Sequence, residues 1–144
     1  MTQVVTTVLM AMAIVGTLLP QKCSLSITAR NFHGTRGNAA IAVYSSADGF
    51  PDAPEKAVRK VLAPIVHDSA TAVIDDLEPG TYAVVVLHDE NGNGKMDKTM
   101  LGRPREGYGV SNNARPRAFG PPSFRDAAFV LDSSGRNLVI DIRY

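Results

Sequence analysis

The chain has 144 residues, the size of one domain, and its 15 Lys and Arg nearly balance its 14 Asp and Glu, giving a formal net charge of +1. This balance excludes a polybasic nucleic-acid arm or an acidic tail as the dominant feature of the chain. An aromatic content of 6% without Trp disfavours a surface on which nucleic-acid bases stack. The single Cys excludes an intrachain disulfide framework, while 44% hydrophobic residues are typical of a folded core. We therefore expect a globular protein with no nucleic-acid partner.

The N-terminus carries an apolar run, residues 4–19, with no charged side chain before Lys22. The run is shorter than the about 20 residues that a membrane-spanning helix needs, and Pro20 would end a helix just after it. We predict a secretory signal or hydrophobic segment in residues 1–22 and an exported protein, periplasmic or secreted, with no stable membrane span in the mature chain. The weakly charged start and the missing small-x-small cleavage site leave an alternative, a buried N-terminal element of a cytosolic protein.

We expect residues 23–144 to form one β-sandwich domain. Cys23 follows Lys22, where a lipidation signal would place a small residue, so the sequence favours an unmodified thiol. Apolar residues next recur with a period of two in two segments, which predicts two half-buried strands. Those residues are Leu25, Ile27 and Ala29, and then Ala39, Ile41 and Val43.

The middle of the chain predicts a loop at residues 48–56 with a short helical turn from Pro54, capped by Asp52. Two further strands are predicted at 58–65 and 70–74, and Pro64 limits the first of them to an edge or an end.

A turn at 77–82 precedes the apolar run 83–87, which predicts a strand buried on both faces. Pro79 followed by Gly80 predicts a type II turn with a positive φ at the glycine. Tyr82 sits where a Greek-key sandwich would have a tyrosine corner, the alternative being a hairpin turn with a half-exposed Tyr.

Residues 89–122 show no sustained period, and residues 124–131 and 138–142 predict two closing strands around a turn at 133–135. A loop of that length inside a compact domain is usually functional or needs an organising group. The sequence as a whole predicts an all-β fold, an antiparallel Greek-key sandwich of about seven strands with one long ordered loop.

The loop from Asp89 to Asp97 carries the clearest chemical signal. It places oxygen-bearing side chains at its first, third, fifth and ninth positions and a Gly at its sixth, a pattern typical of calcium loops. The predicted calcium ligands are the side chains of Asp89, Asn91, Asn93 and Asp97 and the backbone carbonyl of Lys95.

The sequence disfavours an EF-hand, because its twelfth position is Met100 instead of Glu and the flanks do not read as helices. We expect a calcium loop between β-strands, with weak affinity on the order of 10⁻⁴–10⁻³ M. The alternative is a plain turn, since Asp and Asn side chains can hold such a loop through bonds to its own backbone.

The segment that follows is rich in hydrogen-bonding side chains on a Gly-jointed backbone. It could bind a carbohydrate or a peptide end, or it could fasten the long loop to the sandwich. The residues in question are Arg105, Glu106, Tyr108, Ser111, Asn112 and Asn113. A hydrolase built on His88 and Asp89 lacks a candidate nucleophile, so we expect a protein that is not an enzyme.

Several motifs together resemble a bacterial family catalogued as domain of unknown function 2141 over residues 24–144. The resemblance implies an exported protein with a transthyretin-like or Ig-like sandwich and gives no activity. The motifs are Leu77-x-Pro79-Gly80-x-Tyr82-Ala83-Val84, His88 to Asp97, Gly102-x-Pro104-x-Glu106-Gly107-Tyr108-Gly109-x-Ser111-Asn112-Asn113, and Pro122-x-Phe124-x-x-Ala127.

Parts of the chain also resemble other modules. The stretch from Asp89 to Asp97 is similar to calcium loops in the B-type repeats of Gram-positive surface adhesins, which have a Glu where this chain has Met100. The turn at 77–82 is similar to that of transthyretin-like and carboxypeptidase-regulatory modules, which are sandwiches.

Overall fold

The computed structural model describes residue 19 and residues 21–144. The signal segment predicted in residues 1–22 therefore lies largely outside the described residues. No described helix is long and apolar enough to cross a membrane. The described strands are β1 (Cys23–Arg30), β2 (Asn38–Tyr44), β3 (Arg59–Ala63), β4 (Ser69–Leu77), β5 (Gly80–Asp89), β6 (Tyr108–Val110), β7 (Phe129–Leu131) and β8 (Arg136–Asp141). Pro54–Lys56 and Ser111–Asn113 form 3₁₀ turns, and α1 (Phe124–Ala127) is one α-helical turn.

The strands form two sheets, and the predicted β-sandwich is confirmed. The smaller sheet has the order β4-β1-β8, and the larger has the order β3-β2-β5-β6, with β7 paired to β5 beyond that path. Every named strand pair is antiparallel except β1 with β8, which run parallel. The expectation of a purely antiparallel sandwich is wrong at this one pair. β4 already occupies one edge of β1, and β8 pairs with the other edge of β1 while running in the same direction as β1.

The main core lies between the two sheets and follows the period-two pattern of the sequence, and a second, smaller apolar cluster around Ala42, Tyr44 and Val85 lies on the other face of the larger sheet. In β1, Leu25, Ile27 and Ala29 are buried while their neighbours are half-buried or exposed. In β2, Ile41 and Val43 join the same core. Burial of each large aliphatic side chain contributes about 1.5–3 kcal/mol, which makes this layer the main source of stability.

β5 is the central strand of the larger sheet and is buried from Tyr82 to Asp89, as its apolar run predicts. The predicted tyrosine corner is also confirmed, because Tyr82 is buried and its hydroxyl donates to the Glu78 carbonyl at 2.8 Å. The predicted type II turn is wrong, since the positive φ lies at Asp76 (60°) and not at Gly80. β4 and β5 belong to different sheets, so the chain crosses between layers here and does not make a hairpin.

Two predictions of local structure need correction. Asp52 does not cap the turn at Pro54–Lys56, whose N-cap is Ala53 with no side-chain bond. The strand predicted at 124–131 is α1 followed by the short β7. Ser123 and Asp126 cause this difference, because the Ser123 side chain accepts from the Asp126 N–H and the Asp126 carboxylate accepts from the Ser123 N–H, a capping box that starts a helix.

Candidate functional site

The outer face of the larger sheet, which points away from the core, contains a shallow trough along β2. Ala40 lies between Leu62 of β3 and Leu87 of β5, and two residues further on Ala42 lies between Lys60 and Val85. A methyl group stands much lower above the sheet than the larger side chains on either side of it. We call the strip formed by Ala40 and Ala42 the alanine trough.

Three loop segments rise around the alanine trough and turn it into a cleft of about 780 Å³. A volume of this size falls in the range of small-molecule binding sites, about 300–1,000 Å³. Five of the lining residues are prolines, which restrict the backbone of the walls. The loop residues that line the cleft are Pro51, Asp52, Pro54, Gly94, Met96, Lys98, Gly102, Arg103, Pro104, Pro116, Arg117, Gly120 and Pro121.

Two tyrosines supply the hydroxyl groups of the cleft. Burial, with Glu55 and Asp52 nearby, raises the pKa of Tyr44 to about 12, and its hydroxyl donates to the Pro51 carbonyl at 3.3 Å. Burial, followed by the charge of Asp52, also raises the pKa of Tyr108. Both phenols therefore stay neutral at ordinary pH. Tyr108 is half-buried and offers an aromatic face with a polar tip, whereas Tyr44 is only 1% exposed.

Four basic side chains and one acidic side chain line the cleft. Lys98 pairs with Asp52 at 3.2 Å, and Arg117 lies 3.9 Å from Asp126. Among the described residues, neither Lys60 nor Arg103 has a carboxylate within ion-pair distance. The local charge of the cleft is therefore positive, although the chain as a whole is nearly neutral.

The loop predicted to bind calcium runs from the end of β5 into one wall of the cleft. Asp89 is only 1% exposed, and its two carboxylate oxygens accept from the backbone N–H groups of Asn93 (3.1 Å) and Gly94 (2.8 Å). These two bonds replace the water that burial removes from the carboxylate.

The other predicted ligands are bonded to each other. The side-chain amides of Asn91 and Asn93 donate to the Asp97 carboxylate at 2.6 and 3.0 Å. The side-chain oxygen of Asn91 accepts from the Asn93 N–H at 3.0 Å, and that of Asn93 accepts from the Lys95 N–H at 2.9 Å. The loop thus closes through its own hydrogen bonds. Within the described part of the chain, no three His, Cys, Asp or Glu side chains are grouped so that they could hold a metal.

Glu106 ties this loop to its return segment. It is 6% exposed, and its two oxygens accept from the backbone N–H groups of Glu90 (3.1 Å) and Asp97 (3.2 Å). The Arg105 backbone N–H donates to the Asp97 carbonyl at 2.8 Å. Arg105 itself is exposed. A buried carboxylate therefore bridges both ends of the loop.

The polar residues after β6 bond to the body of the sandwich. The Ser111 hydroxyl accepts from the Val84 N–H at 2.9 Å and donates to the Ala127 carbonyl at 2.5 Å. Asn112 donates to two carbonyls at the junction of α1 and β7, at 3.2 and 2.8 Å, and the Asn113 side-chain oxygen accepts from a backbone N–H of β8 at 2.8 Å. Of the six residues considered for ligand binding or fastening, only Tyr108 lines the cleft.

His88 is fully buried beneath this loop, and both of its ring nitrogens have partners. Nδ1 lies 2.5 Å from the Tyr144 hydroxyl and Nε2 lies 2.8 Å from the Arg36 carbonyl oxygen. A carbonyl can only accept, so Nε2 carries the proton and Nδ1 accepts from the tyrosine. The ring holds the C-terminal residue against the loop and has no nitrogen free to act on a substrate.

Sequence reasoning missed the floor of the cleft. Ala40 and Ala42 look like ordinary members of an alternating strand, and their depth is visible only once Leu62 and Leu87 are placed beside them. Pro116 and Pro121 were a usable sequence signal for a wall of the cleft, because prolines restrict the backbone of a segment that has no core of its own.

No curated protein and no solved structure matches the chain. The model of a family described as uncharacterized protein conserved in bacteria (DUF2141) matches residues 27–138. The match covers most of the chain and spans the alanine trough, the loop from Asp89 to Asp97 and the segment that carries Glu106. The protein therefore belongs to this bacterial family.

Proposed function

We propose that the protein is an exported, non-enzymatic β-sandwich module that binds a small, largely apolar ligand in the cleft. The observation that carries the proposal is the alanine trough, because a sheet face with Ala at two successive outward positions and larger neighbours on both sides leaves room for a guest. The sequence left the segment 103–113 open between ligand binding and fastening. The bonds of Ser111, Asn112 and Asn113 to the sandwich support the fastening role. Arg103, Pro104 and Tyr108 contribute to the cleft.

The walls of the cleft support ligand binding because they are held in place before a ligand arrives. Asp89 and Glu106 fix the loop that supplies Met96 and Lys98, and Ser111 fixes the start of the segment that supplies Pro116. A preformed site loses less conformational entropy on binding than a mobile one.

The non-enzymatic part of the proposal is supported by the state of the polar side chains. Asp89 and Glu106 accept backbone N–H groups with both of their oxygens, and His88 is engaged at both nitrogens. General acid–base catalysis requires a group within hydrogen-bond reach of the substrate proton, and these three groups face the protein.

Export is proposed from the apolar run of residues 4–19. Fractionation of bacteria producing the full chain, followed by N-terminal sequencing of the product, tests it. We expect a shortened chain outside the cytoplasm. Full-length protein in the cytoplasm would contradict export and would leave binding at the cleft to be judged separately.

Binding is tested with the neutral apolar dye N-phenyl-1-naphthylamine, whose fluorescence rises in apolar surroundings. The test variant is Ala40→Leu, which fills the alanine trough without touching the core between the sheets. The matched control is Thr71→Leu, which adds the same apolar side chain to an exposed position of β4 in the other sheet.

We expect saturable binding by the wild type and the control, and at least about a tenfold weaker affinity for Ala40→Leu, because about 1.4 kcal/mol of lost contact corresponds to that factor. No saturable binding by the wild type, or equal binding by all three proteins, would contradict the proposal.

Calcium binding by the loop from Asp89 to Asp97 is a second proposed activity. The observation that supports it is that the predicted ligands lie close together in the loop. The Asp97 carboxylate lies 2.6 and 3.0 Å from the side-chain amides of Asn91 and Asn93, and the Asn93 backbone N–H also contacts the Asp89 carboxylate. A carboxylate or amide oxygen that accepts one hydrogen bond keeps a second lone pair, so the donor set suits a hard cation. The side chains and the Lys95 carbonyl would hold the ion.

Thermal unfolding with added calcium tests this second activity. Calcium at 100 times its dissociation constant should add about 2.7 kcal/mol of stability to the wild type. Asp97→Asn should abolish the gain, whereas Asp68→Asn, at an exposed position in another loop, should keep it. A melting temperature that does not respond to millimolar calcium or to a chelator would contradict calcium binding. It would not bear on ligand binding in the cleft.

A further inference from the structure

We infer that the cleft selects an anionic amphiphile, a single apolar chain that ends in a carboxylate or phosphate group. This ligand class presupposes the proposed function, because it requires the cleft to be a binding site. It adds the chemical nature of the guest, which follows from the composition of the floor, the walls and the rim.

The floor and the walls suit an alkyl chain better than a sugar or a peptide backbone. Among the described residues that line the cleft there is no Asn, Gln, Ser or Thr, and the only hydroxyl groups are those of Tyr44 and Tyr108. A ligand with many hydroxyl or amide groups would leave most of them without a partner, and each buried polar group without a partner weakens binding. An alkyl chain carries no such groups.

The floor of the cleft suits a narrow guest. Ala40, Ala42 and Tyr44 face the same side of β2 because successive side chains on one face of a strand are two residues apart. Leu62 on one side and Leu87 on the other keep the floor narrow. A single chain can lie along β2 in this space, between the two flanking rows of side chains.

The charge of the rim indicates an anionic end. Lys60 is paired across the strands with Ala42, at the edge of the alanine trough, and Arg103 comes from the loop wall. Both residues are exposed and have no carboxylate partner among the described residues, whereas Lys98 is paired with Asp52. Because both residues line the cleft and lack a described carboxylate partner, an anionic end of the guest would find a free cation there, and Arg can bind a carboxylate or phosphate with two parallel hydrogen bonds.

Three large apolar side chains stand in the loop segments that form the walls. Met100 and Leu101 lie between the lining residues Lys98 and Gly102, and Phe119 is the neighbour of Gly120. All three are almost completely exposed, at 105%, 86% and 100%. Exposed apolar side chains of this size indicate contact with an apolar partner. None of the three lines the cleft itself, so they form an apolar surface on the outside of its walls.

The test compares three probes with the same 12-carbon chain and different heads, each added below its micelle-forming concentration. Dodecanoate is anionic, dodecanol is neutral and dodecyltrimethylammonium is cationic. Displacement of N-phenyl-1-naphthylamine gives the affinity of each probe for the purified protein. We expect dodecanoate to bind at least tenfold more tightly than the cationic probe, with dodecanol between them.

The charge preference is tested with the double variant Lys60→Gln/Arg103→Gln. It should bind dodecanol as the wild type does and should bind dodecanoate no more tightly than dodecanol. The matched control is Lys22→Gln/Arg136→Gln, which removes two positive charges from the segment before β1 and from β8 of the smaller sheet. The control should keep the preference for dodecanoate.

The outcomes separate the ligand class from the proposed function. Equal binding of all three probes, sensitive to Ala40→Leu, would overturn the anionic preference and keep the cleft as a binding site. Binding of no probe and no dye would overturn both. Binding to vesicles of anionic phospholipid without binding of monomeric dodecanoate would overturn the inference in favour of a membrane surface held by Met100, Leu101 and Phe119.

Discussion

The two faces of the larger sheet are built from the same strands and do different things. On the inner face, Ile41 and Val43 of β2 fill the space between the sheets. On the outer face, the small side chains of Ala40 and Ala42 line the cleft, and Ala42 also belongs to a second buried apolar cluster with Tyr44 and Val85. Residues one position apart in the sequence thus serve packing on one side and a cleft on the other. The comparison shows that side-chain volume, and not hydrophobicity alone, decides which face of a buried strand can receive a guest.

Among substitutions on the two faces, the largest effect on the free energy of unfolding is expected on the inner face. Ile41→Ala should lower the free energy of unfolding by about 2–5 kcal/mol, because Ile41 is 2% exposed and its removal leaves a cavity between the sheets. Denaturant unfolding monitored by circular dichroism measures the loss. A loss below about 1 kcal/mol would mean that the inner face is not tightly packed.

The next largest effect is expected in the loop wall. Asp89→Ala should cost about 1.5–3 kcal/mol, because it removes the charged acceptor of the Asn93 and Gly94 N–H groups inside a buried site. Asp68→Ala, at an exposed position, should change stability by no more than about 0.5 kcal/mol. If the two variants unfold at the same denaturant concentration, Asp89 does not hold the loop.

The aromatic side chain at the end of the trough gives a pH-dependent test. The folded-state pKa of Tyr44 is raised to about 12 from an ordinary value of 10.0, so the folded protein holds the phenolic proton more tightly than the unfolded chain. The associated stability is present below pH 10 and is lost as the pH rises from 10 to 12, at a total of about 2 kcal/mol.

Tyr44→Phe should remove this alkaline loss, while the wild type keeps it. Urea unfolding of both proteins between pH 9 and about pH 11.5 measures the difference, which cancels the contributions of the other tyrosines. Parallel stability curves for the two proteins would show that the Tyr44 hydroxyl is not buried.

The smallest effect on stability is expected from filling the trough. Ala40→Leu should change the free energy of unfolding by less than about 1 kcal/mol, because Ala40 faces the cleft and is only half-buried. Thermal unfolding of this variant beside Ile41→Ala gives the comparison directly. A loss as large as that of Ile41→Ala would place Ala40 in packed surroundings and contradict the cleft.

The parts of the fold that the sequence predicted well are those with a strong local pattern. The alternation in β1 and the apolar run of β5 each predict a strand and its buried face without reference to the rest of the chain. The alternation in β2 predicts the strand, but Ala42 and Tyr44 on its other face are buried as well. The turn before Tyr82 likewise predicted the tyrosine corner, because the bond to Glu78 is local.

The parts that the sequence did not predict depend on distant partners or on competing local signals. The cleft requires Leu62, Ala40 and Leu87 to share one row, and that register joins strands far apart in the sequence. The helix α1 was hidden because the apolar residues from Phe124 onward resemble a strand, whereas the capping box at Ser123 and Asp126 favours a helical turn. Calcium binding at Asp89 to Asp97 stays a prediction.

The most direct test of the cleft is amide chemical-shift mapping of the purified protein, titrated with whichever of the three dodecyl probes binds most tightly. The account predicts progressive shifts at residues 40–42, 60–62, 85–87 and 102–104, and unchanged signals in the smaller sheet. Shifts confined to the smaller sheet, or spread evenly over the whole surface, would contradict it.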